Sequence, residues 1–354
     1  MPDEQPDASV YKELVQLISS FPSAQYIRAL TLLGVPDHLL DGPRPVAALA
    51  TSIGAHERTL GRYLRSCAVL GLTTEDEPDV FGLTPMGALL ATGGMFAAIA
   101  RATAGMHHYL PYSRTAECVR TGRPMGEETL GTSFQRHLQE RPDELLAFYQ
   151  LDSMASGDCG GSLAKAFDFG RYGTIVDAAG RHGDTLAQVL AAAPGARGVL
   201  FDLPAIMPAA RANLTEHGVI DRVRLAGGDV GEEVPPGGGD LYLLRTVLWE
   251  NDDDRAVRIL RNVAAAMPDS ARLLVVETFL PELPNGIGGP DVDEETRELH
   301  RVNFSVFLQR GGRVRTEEEN RRLLERAGFT VERVAHVAGD ARGWDLIEAH
   351  GRRP

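Results

Sequence analysis

From residue 172 onward the chain alternates short apolar runs with amphipathic segments, and several of the runs end in glycine or an acid. Ile175-Val-Asp leads into 185–193, and 198–202 leads into 206–217. The run 223–225 leads into a Gly/Pro-rich loop, 241–245 into 255–266, and 272–278 into a long insertion. Short apolar runs bounded by turn residues and separated by helical segments predict a doubly wound, mostly parallel sheet. Such a sheet binds its ligand in the crevice outside the carboxyl ends of its strands. The tail, 317–327 followed by 329–336 and 344–349, predicts a last helix and a closing β-hairpin.

The N-terminal part reads differently. Residues 10–92 carry helical periodicity, with 46–50 and 57–70 as two short helices and 72–84 as two strands around an acidic turn. Three helices and a small hairpin are the layout of a winged helix. A DNA-binding protein is the non-enzymatic alternative, with Arg58, Arg62 and Arg65 on its recognition helix. Its wing, Glu75-Asp-Glu-Pro-Asp79, would repel phosphate. A dimerisation and substrate-covering module is the reading we adopt. The region 94–166 reads as helical, with breaks at 121–126 and 141–143. At 354 residues the chain is long enough for two cores. The expected division is 1–95 for dimerisation, 96–168 for a helical linker that roofs the acceptor site, and 169–354 for the α/β domain.

Thirty-six basic against 49 acidic residues, net −13, disfavour a nucleic-acid partner. Apolar stretches such as 95–100 are too short for a membrane span, and the acidic N-terminus does not resemble a signal peptide. A cytoplasmic protein without a membrane partner is expected. Cys67, Cys118 and Cys159 have spacings that suit neither a disulfide framework nor a zinc pair, and no metal is expected.

The crevice motifs narrow the ligand. The loop Asp177-Ala-Ala-Gly-Arg-His-Gly supplies only Gly180 and Gly183, which is too little for the close approach of a dinucleotide pyrophosphate. Asp202 ends the second strand at about the ~20-residue separation at which an acid meets a ribose diol. Asp229, between Gly228 and Val230, is placed to accept from an adenine amino group while Val230 packs on the ring. Two such acids without a phosphate cradle describe a nucleoside that carries no phosphate.

These segments resemble the class I S-adenosylmethionine-dependent O-methyltransferases of the caffeic-acid type and their bacterial relatives in antibiotic biosynthesis. The resemblance runs from Tyr26 to Ala349. It is carried by Ile27-Arg-Ala-Leu, Leu33-Gly-Val-Pro-Asp, Ile175-Val-Asp-Ala-Ala-Gly-Arg-His-Gly, Phe201-Asp-Leu-Pro, Gly227-Gly-Asp, Asp240-Leu-Tyr-Leu-Leu-Arg-Thr-Val-Leu, Ile259-Leu-Arg-Asn-Val and Gly311-Gly-Arg-Val-Arg-Thr. It implies a Rossmann-like sheet behind a mostly helical, winged-helix dimerisation domain. It also implies a homodimer, with S-adenosylmethionine, or S-adenosylhomocysteine as product, as the bound group. By resemblance Asp202 and Leu203 face the ribose, and Gly228, Asp229 and Val230 face the adenine. Gly180 lies against the methionine part, Asp177 is the first-strand acid, Arg245 stands where the family often has a Lys near the cofactor, and Gly183 is also cofactor-binding, although Asp177 also suits a turn cap and Arg245 a surface cation. Tyr112, Gln150, Met154, Trp249, Asn303, Phe304 and Phe307 are expected to line an acceptor cavity suited to a flat aromatic or polyketide-like metabolite. His107 and His108 fit either that roof or a plain helix surface.

The chain departs from the family at three positions. Ala179 and Arg181 stand where glycines are expected, and Trp249 stands where the family has the His that deprotonates the acceptor hydroxyl. Indole cannot accept a proton. Glu250, Glu277 or His300 can replace the base, or the acceptor needs little deprotonation, or methylation is at carbon or nitrogen. The remaining alternative is a repurposed, non-methylating enzyme with hydroxylation, decarboxylation or pericyclic chemistry, its cofactor structural or lost.

Overall fold

The computed structural model describes residues 7–156, 159–233, 238–283, 285–290, 292–337 and 343–351, with side chains described outside 152–156. The chain divides into two compact units, one of residues 1–109 and 143–151 and the other of 110–142 and 152–354.

The first unit opens with helices Ala8–Ser19, Phe21–Leu32 and Val35–Leu39, followed by Val46–Ile53 and Glu57–Val69. Strands β1 (Arg44–Pro45), β2 (Thr73–Glu77) and β3 (Val80–Leu83) form an antiparallel sheet in the order β1-β3-β2. In Glu57–Val69 the residues Leu60, Leu64 and Cys67 recur at helical spacing and are buried with Leu30, Val35, Leu49 and Phe81. The winged-helix expectation is met, and the wing engages its own helix. Arg65 pairs with Glu75 at 2.5 Å and with Asp79 at 2.8 Å. Helix Ala8–Ser19 buries none of its residues in this unit, and Val10, Leu14, Leu17 and Ile18 are all more than half exposed.

The stretch expected to be helical with two breaks is more finely divided. Seven helices cover Met95–Thr103 to Cys159–Ala166, and two of the short ones end at glycines in the left-handed region, Gly122 at φ 66° and Gly131 at φ 72°. Glycine adopts that conformation without a Cβ clash, so it stops a helix where apolar periodicity would continue it.

The second unit is built on β4 (Thr174–Ala178), β5 (Arg197–Asp202), β6 (Val223–Gly227), β7 (Leu241–Arg245), β8 (Arg272–Glu277), β9 (Phe329–Val337) and β10 (Trp344–Gly351). Their order is β6-β5-β4-β7-β8-β10-β9. The first five strands pair in parallel, and β10 runs antiparallel to both neighbours. The apolar runs of β4, β7 and β8 are buried on both faces. Ile175, Leu241 and Leu274 join the core on one side, and Val176, Tyr242 and Leu273 join the core on the other. From β4 the chain winds outward through β5 to β6 and then returns to place β7 on the other side of β4. The strand order therefore reverses between β4 and β7, and the ligand crevice of such a sheet lies at the carboxyl ends of those two strands.

Candidate active site

Three residues other than glycine have a left-handed backbone in the two loops that flank this reversal: Ala179 at φ 64° and Arg181 at φ 54° after β4, and Thr246 at φ 51° after β7. The Cβ of an L-residue makes that conformation costly, so such strain persists only where the surroundings over-determine it. The two departures from glycine have thus kept the glycine backbone. The N–H of Ala179 donates to the carbonyl of Phe201 at 2.8 Å, and Gly180 is wedged so tightly that a Cβ there would stand 2.4 Å from Leu200 and 2.6 Å from the Asp177 carboxylate. Gly183, at φ 82°, begins helix Asp184–Ala192 against Leu214.

Under that loop Asp177 is 2% exposed, and its Oδ2 has no hydrogen-bond partner among the described residues. Burial pushes its carboxyl up to about 7 against the pull of the Arg245 guanidinium. Arg245 is itself buried and lies over the Trp344 ring at 6.0 Å, so it is not a surface cation. Asp202 is 6% exposed. Its Oδ2 accepts from the Arg181 N–H at 2.8 Å and its Oδ1 from the Leu203 N–H at 2.6 Å. Burial raises its pKa, and those two N–H groups oppose the rise. At the end of β6, Gly228 presses on the Phe201 ring and donates its N–H to the Asp202 carbonyl at 3.0 Å. Asp229 accepts from the Gly231 N–H at 2.7 Å and faces Arg255 at 3.4 Å, while Val230 packs against the sheet.

The guanidinium of Arg181 spans the strand reversal. It donates to Oγ1 of Thr246 at 2.8 Å and to Oε1 of Glu250 at 3.3 Å. Arg310, at the end of helix Glu294–Arg310, approaches the same Glu250 oxygen at 3.5 Å and lies 4.7 Å from the Phe134 ring centre. Trp249 and Glu250 are both partly buried on the loop after β7.

That loop is clamped from below. Glu277, at the end of β8 and 2% exposed, accepts from the Leu248 N–H at 2.8 Å and from the Trp249 N–H. Burial pushes its carboxyl up to about 7 against those N–H groups and the charge of Arg315. Arg315 is 1% exposed. It donates to the carbonyls of Leu248 and Asn251, both at 2.8 Å, and pairs with Asp253 at 2.7 Å. Gly312 completes the seat, since a Cβ on it would stand 2.5 Å from the Trp249 carbonyl oxygen.

The other expected residues are distributed more widely. The Tyr112 hydroxyl donates to Ser305 at 2.7 Å, and Phe304 is 38% exposed on the same helix as Ser305. The Asn303 side-chain oxygen is engaged by the Val314 N–H at 2.9 Å. Phe307 packs against Cys118, Met125 and Leu308, which makes it part of a small core. His300 is half-buried, and its Nε2 makes no hydrogen bond to the described residues. Gln150 is exposed on helix Pro142–Ser156 in the first unit, and Met154 lies outside the residues whose side chains are described. His107 is fully buried, with Nδ1 2.8 Å from Glu144 in the same unit, so the helix-surface reading fails for it. Sequence reasoning missed Thr246, Arg310 and Arg315. A single Thr or Arg carries no local signal, and only the long-range contacts reveal these three.

A family model described as the O-methyltransferase domain matches residues 112–330, and one described as the O-methyltransferase dimerisation domain matches residues 15–93. The chain belongs to the O-methyltransferase family. It is an S-adenosylmethionine-dependent methyltransferase of class I fold, as its strand ends implied. It is similar to a phenazine O-methyltransferase of Lysobacter antibioticus, 35% identical over 337 residues that cover 95% of each chain. Among solved structures it is similar to a mitomycin 7-O-methyltransferase, with a TM-score of 0.83 at 33% identity and 98% of each chain covered. It is also similar to a neocarzinostatin-biosynthesis O-methyltransferase solved with S-adenosylhomocysteine and 1,4-dihydroxy-2-naphthoic acid. That match has a TM-score of 0.77 at 27% identity and covers 95% of this chain and 98% of the other. No described helix is long and apolar enough to cross a membrane.

Proposed function

We propose that this methyltransferase acts on an aromatic or polyketide-like metabolite of natural-product biosynthesis. The observation that carries the reading is the convergence, at one strand reversal, of the acid Asp202 with a bridge of side chains between the loops after β4 and β7. Asp202 and Leu203 would hold the ribose of S-adenosylmethionine, with Gly228, Asp229 and Val230 at the adenine, Gly180 against the methionine part, and Asp177, Gly183 and Arg245 near the cofactor. The residues fit such a ligand: Asp202 ends β5 beside the strand reversal, and the buried Asp177 Oδ2 has no partner among the described residues. When bound, S-adenosylmethionine supplies a methyl group carried on a sulfonium.

The chain's own residues position the acceptor. Glu277, Arg315 and Gly312 fix the backbone that carries Trp249 and Glu250, and Trp249 offers a flat wall where the family has its base. We assign Glu277 to positioning, because both N–H groups it accepts belong to that loop. Tyr112 and Phe304 are acceptor-side residues; Gln150, Met154 and Asn303 remain assigned to that side by resemblance. Residues 1–95 would form a homodimer, 96–168 cover the acceptor and 169–354 carry the chemistry, in a cytoplasmic enzyme. Calorimetric titration with S-adenosylmethionine and S-adenosylhomocysteine tests the reading. Saturable binding of both is expected, and binding of neither would sink it together with the roles of Asp202 and Asp229.

A further inference from the structure

We propose that Arg181 is a positioning residue that ties the cofactor site to the acceptor loop, so that a ligand held at Asp202 fixes the loop that carries Trp249. The inference rests on the methyl-transfer reading above, and it gives a role to a side chain at a position where the family resemblance expects glycine. The backbone of Arg181 serves one site: its N–H donates to Asp202 Oδ2 at 2.8 Å. Its buried side chain serves the other. Nη1 donates to Thr246 Oγ1 at 2.8 Å, and Nη2 reaches the Thr246 carbonyl at 3.4 Å and Glu250 Oε1 at 3.3 Å. Thr246 and Glu250 stand on either side of Trp249 in the chain, so one guanidinium grips the loop on both flanks of that residue.

The backbone at both ends of this tie is strained. At φ 54° glycine is the unstrained residue for position 181, and Thr246, at φ 51°, is a β-branched residue in the same left-handed region. Such strain persists only where surrounding contacts over-determine it, and it gathers at functional sites. Around Thr246 those contacts are on the page. Its N–H donates to the Val276 carbonyl at 2.8 Å, and its hydroxyl donates to the Arg245 carbonyl at 2.8 Å while accepting from Arg181. Each strained residue is therefore held in part by the other. The remaining ties of the loop described above, from Glu277 and Arg315, run to β8 and to the segment after helix Glu294–Arg310. Arg181 runs instead to the loop after β4 and, through its N–H, to the acid at the end of β5. Coupling between two sites travels through contiguous contacts of this kind. A ribose that restrains the Asp202 carboxylate restrains the Arg181 N–H, and the buried side chain carries that restraint to Thr246 and Glu250. Glu250 also meets Arg310 at 3.5 Å, which extends the tie to the end of helix Glu294–Arg310.

The test is fluorine NMR of the full chain labelled with 5-fluorotryptophan. The two tryptophans, Trp249 and Trp344, give two resonances that Trp249→Phe assigns, and the buried Trp344 reports that each variant is folded. Saturating S-adenosylhomocysteine is expected to shift or sharpen the Trp249 resonance of the wild type. Arg181→Gly keeps the left-handed backbone and the N–H to Asp202, so its calorimetric affinity for S-adenosylhomocysteine should stay within about threefold of the wild type. Its Trp249 response should nevertheless be lost. Thr246→Val removes the oxygen that Arg181 reaches without altering Arg181, should lose the response in the same way, and carries the test alone if Arg181→Gly does not fold. A merely structural role would move affinity and the Trp344 resonance together with Trp249. A wild type that binds S-adenosylhomocysteine with no change at Trp249, an undiminished response in the folded variants, or a greater loss of affinity in Arg181→Gly would overturn the proposal. Failure of S-adenosylhomocysteine to bind the wild type counts against the methyl-transfer reading and is read out separately.

Discussion

The backbone N–H of Arg181 donates to the Asp202 carboxylate at 2.8 Å, which ties the loop after β4 to the acid at the end of β5. Asp202 therefore shapes the loop at the strand reversal. Replacing it with Ala removes the acceptor for two backbone N–H groups and, on the proposed reading, for a ribose diol. Hydrogen bonds to a charged group contribute roughly 1.5–3 kcal/mol each. Asp202→Ala should weaken S-adenosylhomocysteine binding by at least about tenfold in calorimetry, and Asp202→Asn by less.

Ala179 holds a glycine backbone at φ 64°. The left-handed region costs a residue with a Cβ roughly 1–2 kcal/mol, whereas glycine costs about 0.4–1 kcal/mol through the entropy of the unfolded chain. The first effect is the larger. Ala179→Gly should be neutral or stabilising by up to about 1 kcal/mol in urea unfolding, and a clear loss of stability would show that the strain has been misread.

Gly312 seats the loop that carries Trp249. A methyl group there meets backbone, with the Trp249 carbonyl oxygen and the Glu250 carbonyl carbon both 2.5 Å away, so no side-chain rotation relieves it. Gly312→Ala should cost about 1–3 kcal/mol. Methyl transfer should fall more than the melting temperature alone explains, as judged by assaying well below the transition.

Glu277 titrates at about 7 in the folded chain, above its ordinary 4.5. Its protonated form is thus favoured by folding. That contribution is fully present below about pH 4.5 and is lost as pH rises through about 7, so the wild type should lose up to about 3 kcal/mol across that window from this group. Asp177, also raised to about 7, slopes the same way. Glu277→Gln keeps an oxygen acceptor for the loop and should flatten the fall of stability with pH. Parallel wild-type and variant profiles between pH 5 and 8 would contradict this.

Helix Ala8–Ser19 exposes Leu14 and Ile18 at 54% and 70% on one face. Contiguous exposed apolar surface of this kind marks an interface. Leu14→Asp should shift the protein toward monomer in sedimentation equilibrium while leaving the far-UV circular dichroism unchanged. An unaltered dimer would place the interface elsewhere.

The fold was legible because β4, β7 and β8 are buried on both faces, and their apolar runs stand out against flanking turns. The place of Asp202 at the end of β5 was legible for a related reason, since that strand too is an apolar run bounded by turn residues. The many helix ends between Met95 and Ala166 were not, because short apolar helices continue one another's periodicity and stop at glycines that pattern alone does not single out. Nor did the sequence show that Phe307 belongs to a core or that Asn303 serves a neighbouring N–H.

By itself the sequence determined the sheet, its ligand class and the family, each of which depends on local pattern and order. It also marked Ala179, Arg181 and Trp249 as departures but left their consequences open. The tertiary structure decided what the first two do to the loop: both hold the left-handed backbone of a glycine. Arg181 lies 65 residues from Thr246 along the chain and 2.8 Å from it in space, and a hydrogen bond of that kind exists only once the strand order reverses between β4 and β7.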